Sequence, residues 1–146
     1  MTVALSGEEL GKKISEALPG AVVAGDKAFL IVESKKVAQV ADFLKNTSGL
    51  EFDYLTVMTA IDYLDYFEII YRLVSLKHNH SLILKTRITG RENLAVPSVC
   101  QIWRAADFQE REIFDLFGIK FEGHPNLKRL LLWDGFNGHP LRRDYL

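Results

Sequence analysis

Leu10, Ile14 and Leu18 recur every four residues behind Leu5-Ser6-Gly7-Glu8-Glu9, which predicts an amphipathic helix. Ser6 is the expected N-cap, Glu9 closes a capping box and Leu5 can staple to Leu10. Pro19-Gly20 stops the helix. Ala21 to Ala24 and Ala28 to Val32 read as short apolar strands, with Gly25-Asp26 as a tight turn. Ser34 then caps a second helix whose buried face is Val37, Val40, Ala41 and Leu44, and Asn46 to Gly49 end it. Phe52 to Ile61, Tyr66 to Leu76 and Ser81 to Ile88 read as three further strands joined at Asp62 to Asp65 and Lys77 to His80. In the last of them Leu82, Leu84 and Ile88 alternate with Ile83, Lys85 and Arg87, so one face belongs to the core and the other is partly wet.

Pro97 suits the first turn of a helix reaching Arg104. Asp107 caps the next helix, with Glu110 at its third position and Gly118 just past its end. The order α-β-β-α-β-β-β-α-α predicts a two-layer α+β domain over residues 1–118, a sheet with helices mainly on one face. From Ile119 to Leu146 the periodic signal disappears, although large apolar groups, two Gly-His-Pro triplets and several arginines remain. An unpatterned run of 28 residues is unusual inside a compact domain and is expected to be functional, or ordered by something else.

Composition narrows the function. The 146 residues are enough for one domain with a core. A net charge of -1 gives no global field for nucleic acid or an anionic membrane. The single Cys100 excludes an internal disulfide and an all-cysteine iron–sulfur or zinc site. The opening MTVALSGEEL lacks the pattern of a signal peptide, and no apolar run approaches the ~20 residues of a membrane span. Any membrane link is expected to come through a partner.

The energetics of 119–146 point outward. Fixing each backbone residue costs about 1–2 kcal/mol. Burial of Phe121, Leu127, Leu130, Leu131, Leu132, Trp133, Phe136, Leu141 and Tyr145 could offset this at about 1.5–3 kcal/mol each. The small domain has little surface for all nine. The tail carries net +2 and the rest of the chain -3, a combination suited to wrapping a partner protein.

On the helix before the tail, Glu110 lies on the same stripe as Ile113, Phe114 and Phe117. A carboxylate there needs a partner. Arg129, Arg142 and Arg143 are the candidates, making Glu110 the expected clamp on the tail. Arg111 and Asp115 are spaced to pair locally. His124 and His139 invite a metal, but the tail holds no further His or Cys to complete a ligand set, so turn or interface hydrogen bonding is favoured. His78 and His80 read as exposed turn histidines, and Cys100 as a buried small hydrophobe in a helix. Glu110, Glu112 and Asp115 come with no nucleophile or oxyanion motif, and there is no phosphate loop or dinucleotide fingerprint.

The residues Glu110-Arg111-Glu112, Asp115-Leu116-Phe117-Gly118-Ile119, Gly123-His124-Pro125, Leu127, Arg129-Leu130-Leu131 and Gly138-His139-Pro140-Leu141-Arg142-Arg143-Asp144-Tyr145 resemble the signature of the complex I 30 kDa subunit family, the C-subunits of NADH:quinone oxidoreductases. Related subunits occur in F420H2 dehydrogenases and membrane-bound nickel–iron hydrogenases. Glu68 to His80, Pro97-Ser98-Val99 and Trp103 add to the likeness, while Trp133 stands where many members have proline. The resemblance implies a subunit without a redox centre of its own, packed against the quinone-site, hydrogenase-like large subunit and against iron–sulfur subunits. FMN, iron–sulfur clusters and quinone are then expected on neighbouring subunits, and the assembly on the cytoplasmic face of a cell or organelle membrane. The expected partner interface is Glu110, Arg111, Glu112, Asp115, His124, Pro125, Lys128, Arg129, Leu130, Trp133, His139, Pro140, Arg142, Arg143, Asp144 and Tyr145. No catalytic, cofactor or metal residues are expected on this chain. A sister-complex subunit and a free-standing small-molecule enzyme are the alternative readings.

Overall fold

The computed structural model describes residues 2–145. The elements run β1 (Val3–Ala4), α1 (Gly7–Ala17), β2 (Val22–Gly25), β3 (Leu30–Val32), a single 3-10 turn at Ser34–Lys36, α2 (Val37–Asn46), β4 (Tyr54–Asp62), β5 (Tyr66–Ser75), β6 (His80–Thr89), β7 (Ala95–Pro97), α3 (Ala106–Phe117) and β8 (Lys120–Glu122). The main sheet has the order β2-β3-β6-β5-β4, with β1 parallel to β6. β7 and β8 form a separate parallel pair. This is the expected α+β architecture of a sheet covered by helices on one face.

Alternation builds the core, with one shift of register in β4 between Leu55 and Val57. The inward rows across β4, β5 and β6 are Leu55–Leu73–Leu82, Met58–Tyr71–Leu84, Ala60–Ile69–Thr86 and Asp62–Phe67–Ile88, and β3 adds Leu30 and Val32. Leu10 and Ile14 of α1, Val37, Val40, Ala41 and Leu44 of α2, and Ile113 and Phe117 of α3 join the same buried cluster. All three helices therefore cover one side of the sheet.

Several local expectations differ. Ser6 has the extended backbone of an N-cap, but its side chain makes no capping bond, and no capping box forms. The Glu8 N–H instead reaches the Asp26 carbonyl (3.2 Å). The helix start is that close to the β2–β3 turn because residue 7 is glycine: a Cβ there would lie 2.0 Å from the Phe29 carbonyl oxygen. The turn itself spans Asp26–Phe29, closed by the Asp26 carboxylate on the Ala28 N–H (3.1 Å). Ser34 opens the 3-10 turn and not α2 itself.

The helix expected from Pro97 to Arg104 is absent. Pro97 ends β7, and the Ser98 N–H continues the pairing to the Glu122 carbonyl (2.8 Å). The Ser98 hydroxyl then accepts the Cys100 N–H (3.2 Å), a local side-chain turn that competes with helix formation. Cys100 is buried, but in a turn. Asp107 is not a cap either: α3 begins at Ala106 with Ala105 before it, and Asp107 lies in the first turn. His80 is buried, not exposed. It packs on Phe52 with ring centroids 4.7 Å apart, and its Nε2 bonds the Leu50 carbonyl (2.8 Å). His78 is exposed as expected and meets Glu51 (3.0 Å). Beyond Gly118, Ile119 and Phe121 enter the core and β8 forms, so the folded layer runs on to Glu122.

Candidate partner-docking site

Asp115 organises the segment 128–139. It is fully buried on α3. Its Oδ2 accepts the backbone N–H groups of Leu130 (3.2 Å), Leu131 (2.8 Å) and Leu132 (2.9 Å). Its Oδ1 meets the Arg129 guanidinium at 2.9 Å. Burial raises the Asp115 carboxyl pKa. The donors Leu132, Arg129, Leu131 and Leu130 outweigh that and hold it below its ordinary value. Arg129 also donates to the carbonyls of Phe136 (2.9 Å) and Gly138 (3.1 Å), so one side chain fixes the loop that follows. Arg111 does not pair with Asp115. It donates to the carbonyls of Lys128 (3.3 Å) and Arg129 (3.1 Å).

A second set of bonds pins 139–144. His139 Nδ1 meets the Asp115 carbonyl (3.0 Å), and the Leu141 N–H meets the Leu116 carbonyl (3.0 Å). Arg142 donates to the carbonyls of Phe117 and Arg91. Gly118 makes this approach possible. It has φ +78°, and a Cβ there would sit 2.7 Å from the His139 ring. Farther along, the Arg143 N–H reaches Asp62 (2.9 Å). Arg91 forks onto Asp62 with two bonds of 2.7 Å and meets Asp144 at 2.9 Å. The Arg91 guanidinium holds the Asp62 carboxyl far below the usual carboxylate range against its burial, helped by the Arg143 N–H. The guanidinium groups of Arg91 and Arg142 both lie over the Phe67 ring, at 4.6 and 5.4 Å.

Glu110 does not clamp the tail to an arginine. Its oxygens accept the Ser98 hydroxyl and the Val99 N–H (2.8 Å). Burial raises its pKa, and those two donors only partly oppose the shift. It thus ties α3 to the segment just after β7, while the clamp falls to Asp115, farther along the helix. Cys100, Glu110 and His124 bring their ligand-type atoms within 4.8 Å of one another, a convergence the chain order hides. His124 Nε2 meets the Asp107 carboxylate (2.9 Å), and its Nδ1 accepts the Asn126 N–H (3.0 Å).

The remaining interface candidates face outward. Glu112, Pro125, Lys128, Trp133, Arg143, Asp144 and Tyr145 are exposed, and Leu130 and Pro140 are half-buried. Trp133 is 68% exposed and Leu131 63%. Trp133 stands edge-on to Phe136 at 4.8 Å. With His139, Arg142, Asp144 and Tyr145 they line an open groove of about 850 Å³. Sequence reasoning missed Asp62 and Arg91. The available signal was Asp62 itself, a carboxylate continuing the core-facing positions Leu55, Met58 and Ala60.

Residues 30–146 match the model of the family described as the respiratory-chain NADH dehydrogenase 30 Kd subunit. The chain belongs to that family. The NADH-quinone oxidoreductase C-subunit of Caulobacter sp. strain K31 is 39% identical over 145 residues, covering 94% of this chain and 67% of that protein. The C-subunit of Roseiflexus castenholzii is 36% identical over 150 residues, covering 97% of this chain and 85% of that protein. Among solved structures, a chain of the membrane-bound sulfane sulfur reductase, an archaeal respiratory membrane complex, superposes with a TM-score of 0.75 at 27% identity over 95% of this chain and 85% of that one. The residues that carried the resemblance thus divide into two kinds: Asp115, Arg129, His139 and Arg142 hold backbone, whereas Asp144 and Tyr145 are exposed, as is Trp133 where the pattern departs. Among the described residues no helix is long and apolar enough to cross a membrane.

Proposed function

We propose that this chain is a non-catalytic subunit in the peripheral arm of a complex I-type NADH:quinone oxidoreductase. It connects the quinone-site, hydrogenase-like large subunit to the iron–sulfur subunits. FMN, the iron–sulfur clusters and quinone are then carried by those neighbours. NADH-to-quinone electron transfer and coupled ion translocation belong to the whole assembly. Contact with the membrane, on its cytoplasmic face, runs only through the complex.

One observation carries this reading. Leu131, Trp133, Leu141 and Tyr145 are exposed on a backbone that Asp115, Arg129 and Arg142 already hold fixed. Ordered backbone with exposed aromatic and aliphatic groups is a preorganised protein-binding surface, because little conformational freedom remains to be lost on docking. The subunits that occur in sister assemblies are the second reading, favoured by the fold shared with the sulfane sulfur reductase chain. The greater identity to the quinone oxidoreductase subunits supports the first.

The test is to capture the full chain from native membranes in mild detergent through a tag at Met1 and to identify what accompanies it. A flavin-bearing NADH-oxidising module with quinone-site subunits is the expected outcome. Capture of the chain alone would overturn the proposal, and partners of a sulfur reductase, a hydrogenase or an F420-oxidising complex would move the chain to a sister assembly.

A further inference from the structure

The helices and segment 123–145 occupy one side of the main sheet, and on the other side β4, β5 and β6 leave exposed apolar positions that no helix covers, while Ile31 and Glu68 are buried beneath neighbouring side chains. The rows of that side follow from the register: Tyr54–Val74–Ser81, Val57–Arg72–Ile83, Thr59–Ile70–Lys85 with Ile31 beside it, and Ile61–Glu68–Arg87. The apolar members of these rows lie outside the core cluster. Tyr54, Val57, Ile61 and Ile83 are 36 to 48% exposed. An apolar sheet face of this extent, framed by charge, is characteristic of a protein contact surface.

The charges indicate what it meets. Glu68 is 2% exposed even though it stands on this face, because Lys85 (3.4 Å) and Arg87 (3.0 Å) fold over it. The Arg72 side chain has no hydrogen bond or ion pair among the described residues. It sits between Val57 and Ile83, which are 43% and 37% exposed. The face therefore carries three cations against one carboxylate. A second copy of the chain packed here would set cation against cation.

Contact by strand addition at the open edge of β4 is obstructed. Gln109 of α3 already accepts the Met58 N–H (2.6 Å), and the strand is irregular between Leu55 and Val57. A partner must come onto the face.

We infer that this sheet face is a second docking surface, for a protein partner that presents a carboxylate among apolar side chains, with Arg72 as its ion-pair anchor and Val57 and Ile83 as flanking apolar contacts. The inference rests on the reading of the chain as part of a larger complex. It makes the domain a spacer held between two partners, one on each side of the sheet.

The test places a photo-crosslinking benzophenone residue at Val57 or at Ile83 of the full chain within the membrane-extracted complex. The expected result is an adduct with another subunit, through a peptide containing Asp or Glu. Introducing Arg72→Glu should lower the Ile83 adduct yield about tenfold or more, and Arg72→Lys should keep most of it. Each variant's thermal midpoint should match the parent's, since Arg72 is exposed. Failure to form an adduct at either position, adducts only with a second copy or with lipid, or a yield indifferent to Arg72→Glu would overturn the inference. If the Met1 tag captures no partner at all, the subunit reading fails. If it captures the partners but the sheet-face probes stay unreacted, only this inference fails.

Discussion

Residues 3–122 and residues 123–145 are held by different forces. The first region buries a continuous apolar cluster from Leu10 to Phe121. The second adds no residue to that buried cluster, although the His124 imidazole is enclosed beside Asp107. Its order comes from carboxylates and guanidinium groups bonded to backbone, with Asp115 and Asp62 as the acceptors and Arg129 and Arg142 as the donors, and from the ion pair of Arg91 with Asp144. Apolar burial consumes side chains, whereas backbone hydrogen bonding leaves them free. A segment fixed in the second way can present Trp133 and Leu131 to a partner and still be rigid.

The comparison breaks most visibly at Phe67, which belongs to both regions. It packs edge-on against Phe117 and lies beneath the guanidinium groups of Arg91 and Arg142. Phe67→Ala should cost about 3–5 kcal/mol and lower the thermal midpoint by about 10 °C or more. Calorimetry reads this directly, and a shift of only a degree or two would refute the role given to Phe67.

Asp115→Ala separates the regions. It should cost about 2–4 kcal/mol, since three N–H groups and a half-buried guanidinium lose their acceptor. Proteolysis within 130–138 should speed up more than tenfold, while the emission of buried Trp103 stays unchanged. Cutting at the parental rate would show that Asp115 does not hold the loop.

Acid should act on the two regions with opposite sign. Asp62 and Asp115 have folded pKa values below their unfolded ones, so their contribution is complete above about pH 4 and is lost as the pH falls through the lowered values. Glu110 has a raised folded pKa, so its penalty is relieved as the pH falls through that value. Single-tryptophan variants retaining Trp133 or Trp103 report the tail and the body separately. The Trp133 signal should change below about pH 4, ahead of Trp103. Coincident transitions would mean that the two regions unfold as one unit.

The smallest effect on stability is expected at Trp133. Trp133→Ala should change it by less than about 0.5 kcal/mol, because the ring is mostly exposed. The same substitution should weaken capture of the partner complex about tenfold or more. Undiminished capture would remove Trp133 from the interface.

The body was legible in the sequence because period-2 and period-3.6 patterns report burial, and burial is what holds it. Leu10, Ile14, Leu84 and Ile113 all stand where the spacing puts them. The tail was legible only in part. Hydrogen bonds from Leu131 to Asp115 or from Arg129 to Phe136 have no periodicity, because one member of each is backbone and is indifferent to residue type. The same blindness sent Glu110 to an arginine when its partners were a serine hydroxyl and an amide, and it assigned a helix to 97–104 where Ser98 closes a turn. Asp62 escaped notice because it reads as the first residue of a turn, and Arg91 because it lies in the loop before Pro97, until the fold brings them under residues 143 and 144.

The bond from Arg143 back to Asp62 spans 81 positions of the chain. During synthesis, at about 5–20 residues per second, Glu122 precedes Arg143 by roughly one to four seconds. A chain that stops between Glu122 and Arg143 holds every residue of the buried cluster and still lacks the bond that closes residues 139–144 onto the sheet. Such a shortened chain would keep a sound body and lose the fixed surface that is proposed to meet a partner.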